Sequence, residues 1–95
     1  MTAYWISIYK EVTDADKLKA YAELAAPALL AAGGRFLARD VAEVAYEHGE
    51  KTRTVIIEFD SVQAAQDAHD SPAYTEALAA LGDGAVRDIR LVPGV

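Results

Sequence analysis

Arg35 and Arg39 stand four residues apart in a stretch that reads as extended chain, where side chains of equal parity project to one face. Two guanidinium forks on one face could clamp a carboxylate. The plainer reading is ion pairing with Asp40, Glu43 or Glu58. Glu58 lies between Ile57 and Phe59 in the most apolar extended run, Thr52 to Phe59. Buried there without a partner, it would titrate high enough to act as a general base; paired, it would be structural. His69 precedes Asp70-Ser71-Pro72 and could exchange protons beside Tyr74 or Tyr4, or simply close a helix. Arg35, Arg39 and Tyr74 are therefore the candidate ligand contacts, and Glu58 and His69 the candidate catalytic groups.

Other chemistries find little support. Ser61 and Ser71 sit where helix N-caps are needed, and no G-x-S-x-G elbow is present. There is no cysteine, hence no disulfide or thiolate nucleophile. His48 falls in a turn far from His69, and no H-x-x-x-H or H-x-E-x-H spacing suggests a metal. Gly33-Gly34 follows a helix rather than opening one, so it does not cradle a phosphate. No cofactor is implied.

The 95 residues fit one domain, 1–95, with 53% hydrophobic residues of which alanine is a large part. With 15 acidic and 9 basic residues the net charge is −6, which disfavours nucleic acid and anionic membranes as partners. Met1-Thr2-Ala3-Tyr4 lacks the basic start of a signal peptide, and no apolar run is long enough to span a bilayer. The expected compartment is the cytoplasm.

The elements that must position these groups follow from period and breakers. Tyr4 to Lys10 reads as a strand with Tyr4, Ile6 and Ile8 on one face and Trp5, Ser7 and Tyr9 on the other. Both faces are apolar, so both require cover. Thr13 suits an N-cap, and Leu18, Tyr21, Ala22, Ala25 and Leu29 recur at helical spacing up to about Ala32. Pro27 should kink that helix or fray its last turn, and Gly33-Gly34 should end it.

Arg35 to Val41 is the second strand, with Glu43 to Glu47 extending it past a bulge or forming a short extra strand. His48 to Lys51 is the expected hairpin turn, and Thr52 to Phe59 a central strand covered on both faces. Ser61 caps a short helix, and Ser71-Pro72 breaks it and starts another that runs to about Leu81. Ala85 to Val92 is the last strand. The order β-α-β-β-α-β predicts an α+β, ferredoxin-like protomer.

Three stretches carry a family likeness. Gly33-Gly34-Arg35-Phe36-Leu37-Ala38-Arg39, Ile57-Glu58-Phe59-Asp60-Ser61 with Ala64-Ala65, and Ser71-Pro72-Ala73-Tyr74 appear in order along the chain. With the Tyr4-Trp5 opening and the final Leu-Val-Pro-Gly-Val, the sequence resembles the domain of unknown function 1330 family of the dimeric α+β barrel superfamily. The resemblance implies a homodimer whose sheets pack face to face, and it carries over no catalytic residues.

Three functions are compatible with these residues. The leading one is a cofactor-free homodimer that binds or handles a small metabolite, with a carboxylate as the group best suited to the arginines. The second is a monooxygenase- or isomerase-like enzyme, as in related barrels, and the third a structural or stress-associated dimer without a ligand. A partly apolar cavity holding an unpartnered ionisable residue would favour the enzyme. A cleft filled by Leu and Tyr would favour the structural dimer. The dimer face is expected at Trp5, Ser7 and Tyr9.

Overall fold

The computed structural model describes residues 1–95. Its elements are β1 (Ala3–Val12), α1 (Ala15–Ala31), β2 (Arg35–Val41), β3 (Arg53–Phe59), α2 (Val62–His69), α3 (Pro72–Leu81) and β4 (Ala85–Pro93). The strands form one antiparallel sheet in the order β2-β3-β1-β4. This is the α+β, ferredoxin-like arrangement expected, with the second crossover split into α2 and α3 at Ser71-Pro72. Ser71 accepts the Tyr74 amide through Oγ, and Pro72 needs no partner in the first turn.

The helices cover a single face. Trp5, Tyr9, Val55, Ile57 and Phe59 pack from the sheet against Tyr21, Ala25, Leu29, Ala65, Ala68, Tyr74, Ala77 and Leu81. Bulk comes mainly from the sheet, while the alanines let the helices approach closely. Trp5 and Tyr74 meet edge to face at 5.3 Å between ring centroids.

This arrangement corrects the expected dimer face. Trp5, Ser7 and Tyr9 lie buried beneath the helices, whereas Tyr4, Ile6 and Ile8 occupy the open face and are half-buried. Alternation distinguishes two faces but does not say which is covered; the larger Trp5 and Tyr9 side chains take the helix layer. The central strand β3 is likewise covered on one face only. Its Val55, Ile57 and Phe59 are buried, and Thr54, Ile56 and Glu58 are half-buried.

Three local expectations also change. Asp14, not Thr13, caps α1, its Oδ1 accepting the Asp16 and Lys17 amides at 3.1 Å. Thr13 instead ties the helix start to the α3–β4 turn through its amide to the Gly84 carbonyl and its hydroxyl to the Asp83 carbonyl. Pro27 lies within α1, which still runs on to Ala31 before Gly33 takes the left-handed conformation at φ 96°. A Cβ on Gly34 would come within 2.9 Å of the Phe59 ring, so glycine permits the close approach of helix end and sheet.

Glu43 to Glu47 forms no strand. The turn there is closed by the Gly49 amide on the Tyr46 carbonyl at 2.9 Å, and Glu47 holds the positive φ of 54°. The turn therefore centres earlier than His48 to Lys51. The ladder resumes only where the Ala42 amide reaches the Thr52 carbonyl.

Candidate ligand-binding cleft

A bulge decides where the arginines point. In the β2–β3 ladder Arg35 pairs with Glu58 and Phe36 with Ile57, but Ala38 pairs with Ile56 and Arg39 with Val55. Leu37 is the extra residue, and it reverses the parity of everything after it. Arg35 and Arg39 consequently project to opposite faces. The expected two-arginine clamp on one face does not form.

Arg35 stays on the open face and is fully engaged. Its Nε donates to Glu58 Oε1 at 2.8 Å, its Nη2 to Asp60 Oδ1 at 3.1 Å and its Nη1 to the Gly33 carbonyl at 3.3 Å. The hydrogen bonds to Glu58 and then Asp60 hold its guanidinium still more firmly in the charged form. Glu58 is thus a paired carboxylate, the structural of its two readings. On the same face Arg90 makes a bidentate bond to Asp88.

His69 is placed beside Tyr74, at 5.3 Å between rings, and beside Trp5 at 5.7 Å. Its Nδ1 lies 2.9 Å from Asp70 Oδ1. It borders a groove with Gln66, Asp70, Ile89 and Leu91, separate from the cleft beneath α1.

The cleft beneath α1, of about 270 Å³, opens between that helix and the covered face of the sheet. Its apolar walls include Trp5, Leu18, Leu29, Phe36, Val55 and Ile57. Strand pairing arranges the sheet side in rows. Arg39, Val55, Ser7 and Ile89 make one row across the four strands. Val41, Arg53, Tyr9 and Arg87 make the next: Tyr9 pairs with Arg87, Val41 pairs with Arg53, and Arg53 reaches the Tyr9 ring.

Arg39, Arg53 and Arg87, with Lys19 from α1, bring four cations to the lining, and no carboxylate joins them. The only ion pairs in the molecule are Lys17–Asp83, Arg35–Glu58, Arg35–Asp60, His69–Asp70 and Arg90–Asp88. None of the cleft cations takes part. The arginines rest on aromatic faces instead: Arg39 over Phe36 at 4.9 Å, Arg53 over Tyr9 at 5.8 Å and Arg87 over Tyr21 at 4.7 Å.

Arg87 is further fixed by a buried chain of hydroxyls. Its Nη1 donates to Tyr21 Oη at 2.9 Å, and Tyr21 Oη lies 2.7 Å from Tyr74 Oη. Burial works against the Arg87 charge, but the Tyr21 and Tyr74 oxygens outweigh it and the net shift is upward. Burial, reinforced by Tyr21, pushes the Tyr74 phenol above its usual range, so it stays protonated. Tyr74 does not line the cleft and is linked to it through Tyr21. Of the five candidates read from sequence, only Arg39 lines the cleft directly.

Arg53 and Arg87 were missed. Their signal was an arginine in phase with an inward-facing apolar series: Arg53 with the buried Val55, Ile57 and Phe59, and Arg87 with the half-buried Ile89 and Leu91. An arginine so placed must either snorkel or face a cavity.

Comparison with known proteins places this geometry in a family. The model for the domain of unknown function DUF1330 matches residues 2–95. No match was found among curated proteins. Among solved structures, a protein of unknown function from Rhodopseudomonas palustris is 19% identical, with 96% of this chain and 78% of that one covered at a TM-score of 0.70. An ethyl tert-butyl ether D (EthD) family protein from Bacillus halodurans is 15% identical, with both chains fully covered at 0.64. SnoaB, a cofactor-independent oxygenase from Streptomyces nogalater, is 13% identical, with 99% and 92% covered at 0.63. At these identities the likeness is one of fold.

Proposed function

The chain belongs to the DUF1330 family, and from that premise we propose that its cleft binds a small apolar acid, with Arg39, Arg53 and Arg87 receiving the carboxylate. One observation carries the reading. In a chain of net charge −6, three arginines gather around an apolar cleft and none has a carboxylate partner. Guanidinium groups left without counter-charge in a part-buried site attract an anion that supplies it. The volume suits a molecule of about one ring, at the small end of ligand pockets.

The kind of ionisable group argues for binding over proton-transfer chemistry. Arginine does not release its proton near neutral pH, and the lining holds no Asp, Glu or His. An open cleft of this kind also disfavours the purely structural dimer.

Trp5, the sole tryptophan, lines the cleft and reports on it. Its fluorescence should change saturably with benzoate, giving a dissociation constant of about 1 mM or tighter, and should not change with benzamide. Equal responses to acid and amide would remove the role of the arginines.

The same proposal includes a homodimer built through the open face of the sheet. Tyr4, Ile6, Ile8 and Ile56 are half-buried there and Val92 is 39% exposed. Two copies related by a two-fold axis would cover one another's apolar centre without polymerising. Sedimentation at micromolar concentration should give twice the chain mass of 10.2 kDa, and Ile6→Asp should return it to one chain. A wild-type monomer would contradict the dimer without touching the cleft.

A further inference from the structure

The cleft holds a second polar feature that a carboxylate alone does not use. Ser7 is 3% exposed, lines the cleft, and its Oγ has no hydrogen-bond partner. Apart from the tyrosines, it is the one buried residue with a polar side chain. Trp5 and Tyr9 flank it on the covered face of β1, and Val55 and Ile89 stand opposite it on the two neighbouring strands. A hydroxyl in such surroundings carries a desolvation cost unless something bonds to it. Alanine would fill the position equally well and without that cost.

The position of Ser7 relative to the cations gives the hydroxyl a meaning. Arg53 and Arg87 occupy the row of Tyr9, two residues along β1, or about 6.8 Å at the rise of an antiparallel strand. Deeper than Ser7 comes the row of Phe36, Ile57, Trp5 and Leu91, which is wholly apolar. An acid anchored at Arg53 and Arg87 would thus lay its apolar body along the covered face, pass the Ser7 hydroxyl in the row it shares with Arg39, and then meet Trp5.

Resting on the reading of the cleft as an acid-binding site, we infer that Ser7 is its specificity-determining residue, selecting acids that carry a hydroxyl or carbonyl oxygen on the apolar body. Ser7 can donate to either and accept from the first. A site that hydrogen-bonds a substrate oxygen discriminates strongly against the analogue lacking it, since a buried polar group is then left unpaired.

The test uses a panel on the intact protein: benzoate, its 3- and 4-hydroxy forms, its 3- and 4-formyl forms, and the 3- and 4-methyl forms as isosteres. In the wild type at least one oxygen-bearing acid should bind about ten-fold tighter than the methyl acid of the same position. Preference for the hydroxy or the formyl series tells which oxygen Ser7 meets. Ser7→Ala should level that preference to within about two-fold. Ser7→Cys, which keeps the branching with a slightly larger and weaker donor, should retain only part of it and serves if the alanine variant does not fold. Binding of all seven acids without discrimination, or a preference that survives Ser7→Ala, would overturn the inference and leave the cleft reading intact. Failure of every acid to bind would overturn both.

Discussion

The two faces of one four-stranded sheet treat arginine in opposite ways. On the open face, Arg35 and Arg90 are each locked to carboxylates: Glu58 and Asp60 for the first, Asp88 for the second. On the covered face, Arg39, Arg53 and Arg87 meet aromatic rings and the Tyr21 hydroxyl but no counter-charge. Exposed arginines have water and need no partner, yet they have one. The half-buried Arg53 and Arg87 need one more, and they and the exposed Arg39 lack it. Stability alone does not produce that distribution, whereas a site kept open for an anion does.

The largest effect that sharpens the contrast between faces concerns packing. Phe59→Ala, at a fully buried position, should cost about 3–5 kcal/mol in urea or thermal unfolding. Leu37→Ala, at the 54% exposed bulge, should stay within about 0.5 kcal/mol. Next comes binding. Arg39→Ala combined with Arg53→Ala should weaken benzoate about hundred-fold, equivalent to two charge-assisted hydrogen bonds. Arg35→Ala should leave affinity unchanged within about two-fold. Equal losses from the two sets would erase the distinction between the faces.

A smaller effect tests the hydroxyl chain behind Arg87. Tyr74→Phe should destabilise by about 1 kcal/mol through the lost Tyr21 bond. It should also alter the alkaline limb of stability. The Tyr74 phenol is raised above 10.0 in the folded protein, so the folded state keeps a proton that the unfolded chain releases. Its contribution is complete below pH 10 and fades as pH rises toward the folded value, so Tyr74→Phe should flatten stability above pH 10. The smallest effect is expected at Lys17–Asp83, an exposed pair at 2.7 Å. The hydrogen bond and charge of Lys17 depress Asp83, so its help is present above the ordinary carboxylate range and lost as pH falls through the lowered value. High salt should abolish it, and Lys17→Met should then be indistinguishable from wild type in melts.

Much of the fold was legible because its signals are local. Ser61 and Ser71 cap helices where the chain offers a hydroxyl ahead of an apolar period, and Gly33 takes the positive φ that ends α1. The choice of covered face was not legible, since Tyr4-Ile6-Ile8 and Trp5-Ser7-Tyr9 are both apolar and only the docked helices distinguish them. Asp14 and Thr13 are adjacent residues that can both cap a helix, and Thr13 is drawn off by a contact to Asp83, 70 residues away. The site suffered most from the Leu37 bulge. One unpaired residue, invisible in the alternation, separates Arg39 from Arg35 and sends it to the cleft. Arg53 and Arg87 join it from strands that lie next to β1 only in the assembled sheet.

The most direct measurement is a crystal structure of the protein grown with 4-bromobenzoate, whose bromine marks the ligand by anomalous scattering. The bromine should lie between α1 and the sheet, with the carboxylate at hydrogen-bond distance from at least one of Arg39, Arg53 and Arg87. A ligand bound at Arg35 or Arg90 on the open face, with the cleft unchanged, would contradict the division of roles between the two faces.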